Sequence, residues 1–243
     1  KYDKRVNCAL RKADLLISSI PDSYQAIKKY KHLESIIIPE TGCYVNNELK
    51  ANLNKYKKRG LKILWVGKFD FRKQLAIALK TIAQLRHIND IELEICGTGN
   101  QRQITYYKQL SCKLGIEKQI IWHGNKSNQE ILSMMCKSDL FFFTSVSEDT
   151  STVVLEAISC QLPVLCFDAC GFVINEKVGI KIPISTPEQS VKDFAEKIDY
   201  LYHHRDILQQ LSKQCCQRQE ELSWDNKAKQ MVTLYNSSLN NSK

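Results

Sequence analysis

From residue 62 onward, short apolar runs rich in β-forming residues alternate with longer stretches whose apolar residues recur every three to four positions, and this alternation leaves few folds open. The runs fall at 62–67, 91–97, 119–123, 139–144 and 163–167, and the periodic stretches at 74–86, 101–115, 128–136 and 152–160. A strand, a helix and a further strand in one sheet are joined by a right-handed crossover, so four crossovers in succession predict a parallel sheet covered by helices on both faces. The expected fold class is therefore α/β, doubly wound, with a ligand crevice at the carboxyl ends of the strands.

Residues 1–60 do not continue that repeat. Residues 13–19 and 35–39 read as strands, 21–30 as a helix with Pro21 at its start, and 48–60 as a polar, lysine-rich linker. The expected division is 1–45 as the remnant of a preceding α/β domain, 46–60 as linker, 61–225 as the main domain and 226–243 as a closing helix. From Thr186 the chain reads as helical, with breaks near 204–205 and 223–224 and Ser223 as an N-cap.

Composition narrows the functional classes. No apolar run approaches the ~20 residues of a membrane span, and residues 1–11 lack the apolar centre of a signal peptide. The ten cysteines are scattered through predicted strands and helices, without metal-ligand spacing, so they read as reduced thiols in a cytoplasmic protein. Of the net charge of +9, residues 1–60 carry +7, from 13 Lys and Arg against 6 Asp and Glu. No aromatic-interleaved basic motif accompanies it, so nucleic acid is not an expected partner.

Three loops carry the candidate chemistry. In 147–157 (SEDTSTVVLEA), Glu148 and Glu156 are separated by seven residues, the first after a strand, the second two turns into a helix. Carboxylates accept paired hydroxyl hydrogen bonds from a sugar, and the adjacent helix N-terminus offers N–H groups to a phosphate. Gly67-Lys68-Phe69-Asp70-Phe71-Arg72-Lys73 puts two or three cations at the mouth of the same crevice, where they would stabilise a diphosphate leaving group. Gly97-Thr98-Gly99-Asn100 is a small-residue turn open to close backbone approach. Each has a plain structural alternative: a dipole partner, a solvated loop, a tight turn. His123 reads as a packed strand-end histidine, and one ring of Tyr106-Tyr107 should pack on the sheet.

The order of these elements resembles the donor domain of glycosyltransferase family 4 (group 1), retaining enzymes of GT-B architecture, whose C-terminal half is a Rossmann-like sheet. The resemblance covers roughly residues 35–240. It implies that Lys68 and Lys73, in the places of the family's Arg and Lys, clamp the donor diphosphate. It implies that Glu148 meets the donor sugar, Glu156 the ribose hydroxyls, and that Trp122-His123-Gly124-Asn125 borders the base. The closing Ser223-Trp224-Asp225 and its helix correspond to the family's terminal helix, which crosses back toward the other domain. The family's Gly-Phe-Gly after the first Glu is Asp149-Thr150-Ser151 here, with the Thr and Ser hydroxyls as substitute donors, and Gln74 stands where Gly is common. The implied catalytic set is Lys68, Lys73 and Glu148. The implied donor-binding set is Gly67, Gly97, Gly99, Gly124, Asn125, Thr150, Ser151, Thr152 and Glu156. No metal or other cofactor is expected, because the cations take that part. The implied partners are a nucleotide sugar, an N-terminal acceptor-binding domain and, peripherally, the cytoplasmic membrane face. The implied activity is sugar transfer to a hydroxyl in surface polysaccharide or glycolipid synthesis, with this chain alone poorly active. The alternatives are a nucleotide-sugar-binding module without catalysis and an epimerase-like GT-B enzyme.

Overall fold

A computed structural model describes residues 3–19, 35–43 and 51–241. The helix expected over 21–30 and the first part of the expected linker lie outside them. The first described elements are α1 (Lys4–Lys12), β1 (Leu16–Ser18) and β2 (Ser35–Ile37), and the last two pair in parallel as a small separate sheet. Asp3 caps α1, accepting the Arg5 N–H at 2.8 Å.

The main sheet contains β3 (Leu61–Val66), β4 (Ile91–Cys96), β5 (Ile120–Gly124), β6 (Leu140–Phe143), β7 (Val164–Phe167) and β8 (Gly179–Ile182). All its pairings are parallel, in the order β5-β4-β3-β6-β7-β8. The crossovers are α2 (Leu75–Gln84), α3 (Gln101–Leu114), α4 (Asn128–Lys137) and α5 (Thr152–Ser159), followed by α6 (Pro187–His203), α7 (Arg205–Glu221) and α8 (Trp224–Asn241). The four expected helices thus form within two residues of their expected bounds. Strand β8 is the one the sequence pattern does not announce. It is four residues long, at the sheet edge, with a half-buried lysine at its third position.

Both faces of the sheet are covered, which is why Leu-Phe-Phe-Phe in β6 and Val-Leu-Cys-Phe in β7 are buried at every position. Successive side chains feed opposite layers. Ile63, Trp65, Phe142 and Phe167 pack with α2 and α6 on one face, while Leu64, Phe141, Phe143 and Cys166 pack with α5 on the other. Phe142 and Phe167 both meet Phe194 of α6 edge-on, at 5.0 and 4.7 Å between centroids.

The described part of the expected linker is no tether. Residues 53–57 form a short 3-10 helix with Tyr56 buried, and the Ala51 N–H donates to Gln161 Oε1 at 3.1 Å. Apolar Ala51 and Tyr56 within the lysine-rich stretch attach it to the domain. At the other end Ser223 caps α8, accepting the Asn226 N–H at 3.2 Å, and the backbone of Cys43 bonds to Leu222 and Trp224 on either side of that corner. The helix therefore begins at Trp224, two residues before the expected boundary.

Candidate functional site

Chain order reverses direction at β3. From β3 the sheet grows through β4 to β5, and then the chain crosses to β6 on the opposite side of β3. The loops leaving β3 and β6 therefore diverge around a crevice at their shared carboxyl edge, the switch point where open α/β sheets take ligands. These loops, 67–74 and 144–151, are tied together. The Val146 N–H donates to the Arg72 carbonyl at 3.0 Å. Thr144 Oγ1 donates to the Lys73 carbonyl at 2.8 Å and accepts the buried Trp65 indole N–H at 2.9 Å.

This bracing brings together residues 75 positions apart. Lys73 Nζ lies 2.5 Å from Glu148 Oε1, with both side chains nearly enclosed, and 4.9 Å from the Phe143 ring centroid. Arg72 Nη1 reaches Glu148 Oε2 at 3.2 Å. The Ser145 hydroxyl sits 2.9 Å from Glu148 Oε1 and 3.2 Å from the Arg72 carbonyl, and donates to one of these acceptors at a time. Lys68, expected beside Lys73, is exposed, and its side chain makes no hydrogen bond or ion pair among the described residues. The loop explains the exchange: Phe69 is buried against Trp65, Tyr107 and Trp122 at 5.5 to 6.1 Å, which leaves Lys68 outward, and the Asp70 side chain then caps the Lys73 N–H at 3.0 Å. Arg72 is the cation that spacing alone could not assign.

Helix α5 opens onto this cluster without a cap. Ser151, at its N-cap, makes no side-chain capping bond, and Thr150 Oγ1 is buried without a hydrogen-bond partner among the described residues. Thr152 and Asp149 are exposed. Glu156, one turn further in, is half-buried and accepts Asn128 Nδ2 at 2.7 Å, so it joins the first residue of α4 rather than the Lys73 cluster. Burial raises its carboxyl above the ordinary range, partly opposed by that hydrogen bond. Asn128 is a second residue that sequence reading missed, and an amide opening a helix carries no signal of its own.

The expected glycines form the rest of the rim. The Gly67 N–H donates to the Cys96 carbonyl at 3.0 Å, the Phe69 N–H to Thr98 at 3.0 Å, and the Gly97 N–H to Gly124 at 2.8 Å. Gly97 has φ +147°, and a Cβ there would sit 1.8 Å from the Gly67 carbonyl oxygen. Its smallness is thus required by the neighbouring loop, where the sequence suggested room for a nucleotide. Gly99 packs against Phe69 and Gln103, while Gly124, with φ +69°, and Asn125 are exposed at the crevice side of β5. Gln74, where glycine is common, adopts φ 50° and ψ 44°, the left-handed conformation that glycine would enter without a Cβ clash. His123 bonds Glu94 at 3.0 Å, and Tyr107 is buried while Tyr106 is exposed.

Nine cysteines, from buried Cys96, Cys160 and Cys166 to exposed Cys112 and Cys216, are free thiols. Among the described residues no helix is long and apolar enough to cross a membrane.

A six-stranded parallel sheet wound on both faces, with its charged groups gathered at the switch point, defines a Rossmann-like domain, a class of fold whose ligands sit at the carboxyl edge. Residues 46–218 match the glycosyl transferases group 1 family, and the chain belongs to it. It is 24% identical over 176 residues to an uncharacterized glycosyltransferase, MJ1607, of Methanocaldococcus jannaschii, covering 71% of this chain and 44% of that protein. It is 31% identical over 108 residues to N-acetylgalactosamine-N,N'-diacetylbacillosaminyl-diphospho-undecaprenol 4-alpha-N-acetylgalactosaminyltransferase of Campylobacter jejuni, covering 44% of this chain and 27% of that enzyme. Among solved structures, the pneumococcal O-GlcNAc transferase GtfA in complex with UDP and GlcNAc superimposes with a TM-score of 0.73 at 16% identity, over 98% of this chain and 48% of that one. The chain thus spans under half the length of these relatives.

Proposed function

We propose that this chain is the donor-binding half of a retaining glycosyltransferase, gripping a nucleoside diphosphate sugar in the crevice between β3 and β6. One observation carries the reading: an uncapped helix N-terminus, with the partnerless Thr150 hydroxyl, stands beside Lys73, Arg72 and Glu148. A diphosphate satisfies the free N–H groups of α5 and the two cations together. Its arrival competes with Glu148 for Lys73 and Arg72 and so frees carboxylate oxygens for the sugar hydroxyls. As the sugar–phosphate bond breaks, negative charge grows on the leaving diphosphate, and Lys73, with Arg72, stabilises it more strongly than the ground state. Those cations supply the charge, so the proposed donor complex needs no metal. Glu156 takes the ribose hydroxyls, Gly124 and Asn125 border the base, and Lys68 stays free for the outer phosphate face.

The acceptor belongs to a partner domain N-terminal to this one. Helix α8 supports that partner, because Val232, Tyr235 and Leu239 are 58%, 55% and 67% exposed along it. The Campylobacter relative's name points to a lipid-linked sugar as acceptor class, which would place the reaction at the cytoplasmic face of a membrane. Alone, the chain binds donor and transfers little sugar. Calorimetric titration with UDP and UDP-sugars tests the reading, UDP first because it occupies the pneumococcal neighbour. Saturable binding that weakens in Lys73→Ala is expected; affinity unchanged by that substitution would overturn it.

A further inference from the structure

At the opposite edge of the sheet, a cavity of about 600 Å³ opens at the amino ends of β3 and β4 and the start of β6. Its three acids are already matched. Asp90 accepts from Arg59 at 3.0 Å and from the Tyr202 hydroxyl at 2.6 Å, and Glu92 lies 3.7 Å from Lys62. Asp139 pairs with Arg205 at 3.0 Å and accepts the Lys62 N–H at 2.8 Å. The most enclosed cation, Lys55, is also committed, its Nζ donating to the carbonyls of Cys136 and Ser138 at the end of α4.

Three cations remain. Lys58, Lys118 and Lys137 line the same cavity from three separate parts of the chain: the segment after the short 3-10 helix, the turn before β5, and the last residue of α4. Among the described residues none of the three forms a hydrogen bond or ion pair with an acid, and all are exposed. Like charges gathered around a concave surface raise its potential, because the protein wall behind them screens less than water does. A second recess of about 630 Å³ shares Arg59, Asn89 and Asp90 with the first and adds His87, so the groove has room for the group that carries the anion.

We propose that this groove is a second anion site, taking a phosphate monoester or diphosphate at Lys58, Lys118 and Lys137, on the sheet edge opposite the donor crevice. The two sites lie a strand's length apart, about 20 Å for six residues. The proposal is independent of how the crevice is read, since none of its residues is shared with it.

Inorganic pyrophosphate is the probe, titrated calorimetrically into the wild-type chain, into Lys118→Glu/Lys137→Glu, into Arg72→Ala/Lys73→Ala and into the two pairs combined. The crevice variant should keep a pyrophosphate site that adding the amino-edge pair weakens by at least about tenfold. Because both lysines are exposed, the substituted chain should retain its circular dichroism; the milder Lys118→Gln/Lys137→Gln should show a smaller loss in the same direction. Sedimentation with phosphatidylglycerol and phosphatidylcholine vesicles separates the sources of the phosphate. Retention on the anionic vesicles alone, lost in the Glu variant, assigns it to a lipid headgroup, and pyrophosphate binding without retention assigns it to a soluble ligand. A combined variant that binds pyrophosphate as tightly as the crevice variant overturns the site, as does a crevice variant that binds neither pyrophosphate nor the anionic vesicles.

Discussion

Helices α3, α4 and α5 all begin at the same edge of the same sheet, yet α3 and α4 finish their first turns in a way that α5 does not. Asn100 accepts the Gln103 N–H at 2.9 Å while the Gln103 side chain returns to the Asn100 N–H at 2.9 Å. Ser127 and Glu130 repeat this reciprocal cap at the start of α4. Each box satisfies two N–H groups that the helix itself leaves unpaired. At α5 no side chain closes the turn, and the buried Thr150 hydroxyl beside it is also unbonded among the described residues. Two helix ends thus use their polar groups for stability, and the third leaves them open, which is the local loss of stability that the proposed donor site would account for.

The largest expected effect breaks the rim on which all three ends rest. Gly97→Ala forces a Cβ onto the Gly67 carbonyl and should lower stability by about 3 kcal/mol or more, read from denaturant unfolding. Next, Lys73→Ala in the crevice should weaken UDP binding by about tenfold to a hundredfold, the range for losing a charged hydrogen bond, as measured by calorimetry. The comparison itself is sharpened by paired substitutions. Asn100→Ala should cost about 1 kcal/mol, whereas Ser151→Ala should stay within about 0.5 kcal/mol; equal losses would show that α5 is capped after all. Gln74→Gly relieves a left-handed residue at the start of α2 and should raise stability by roughly 0.5 to 1 kcal/mol.

The smallest effect depends on pH. Because burial raises the Glu156 carboxyl in the folded chain, its contribution to stability is complete below the ordinary carboxylate range and is lost as pH rises through the raised value. Glu156→Gln keeps an acceptor for Asn128 and removes that loss. The variant should match wild type in acid and exceed it slightly near neutrality, as thermal unfolding at the two pH values would show.

How much of this was legible in the sequence depends on whether a feature is periodic. Strands β3 to β7 and helices α2 to α5 repeat their apolar residues along the chain, so each could be placed without coordinates. Strand β8 has four residues and a half-buried lysine, too short and mixed to register. Helix α1 escaped for the opposite reason: none of its residues is buried, so no core contact constrains its pattern. At the site, Lys73 and Glu148 were marked by their places in two loops and do meet. Arg72 reaches Glu148 while Lys68 faces outward, because Phe69 is drawn into an aromatic cluster, a tertiary event with no local signature. Likewise the meaning of Gly97 lay in the loop beside it, 30 residues back along the chain.

The backbone bonds that join the β3 loop to the β4 loop, and the β4 loop to the end of β5, have a consequence for redesign. Three turns fastened through their peptide groups behave as a single rigid collar, whose shape is independent of most of the side chains it bears. Exposed positions such as Thr98 and Asn125 can therefore be exchanged while the collar keeps its form.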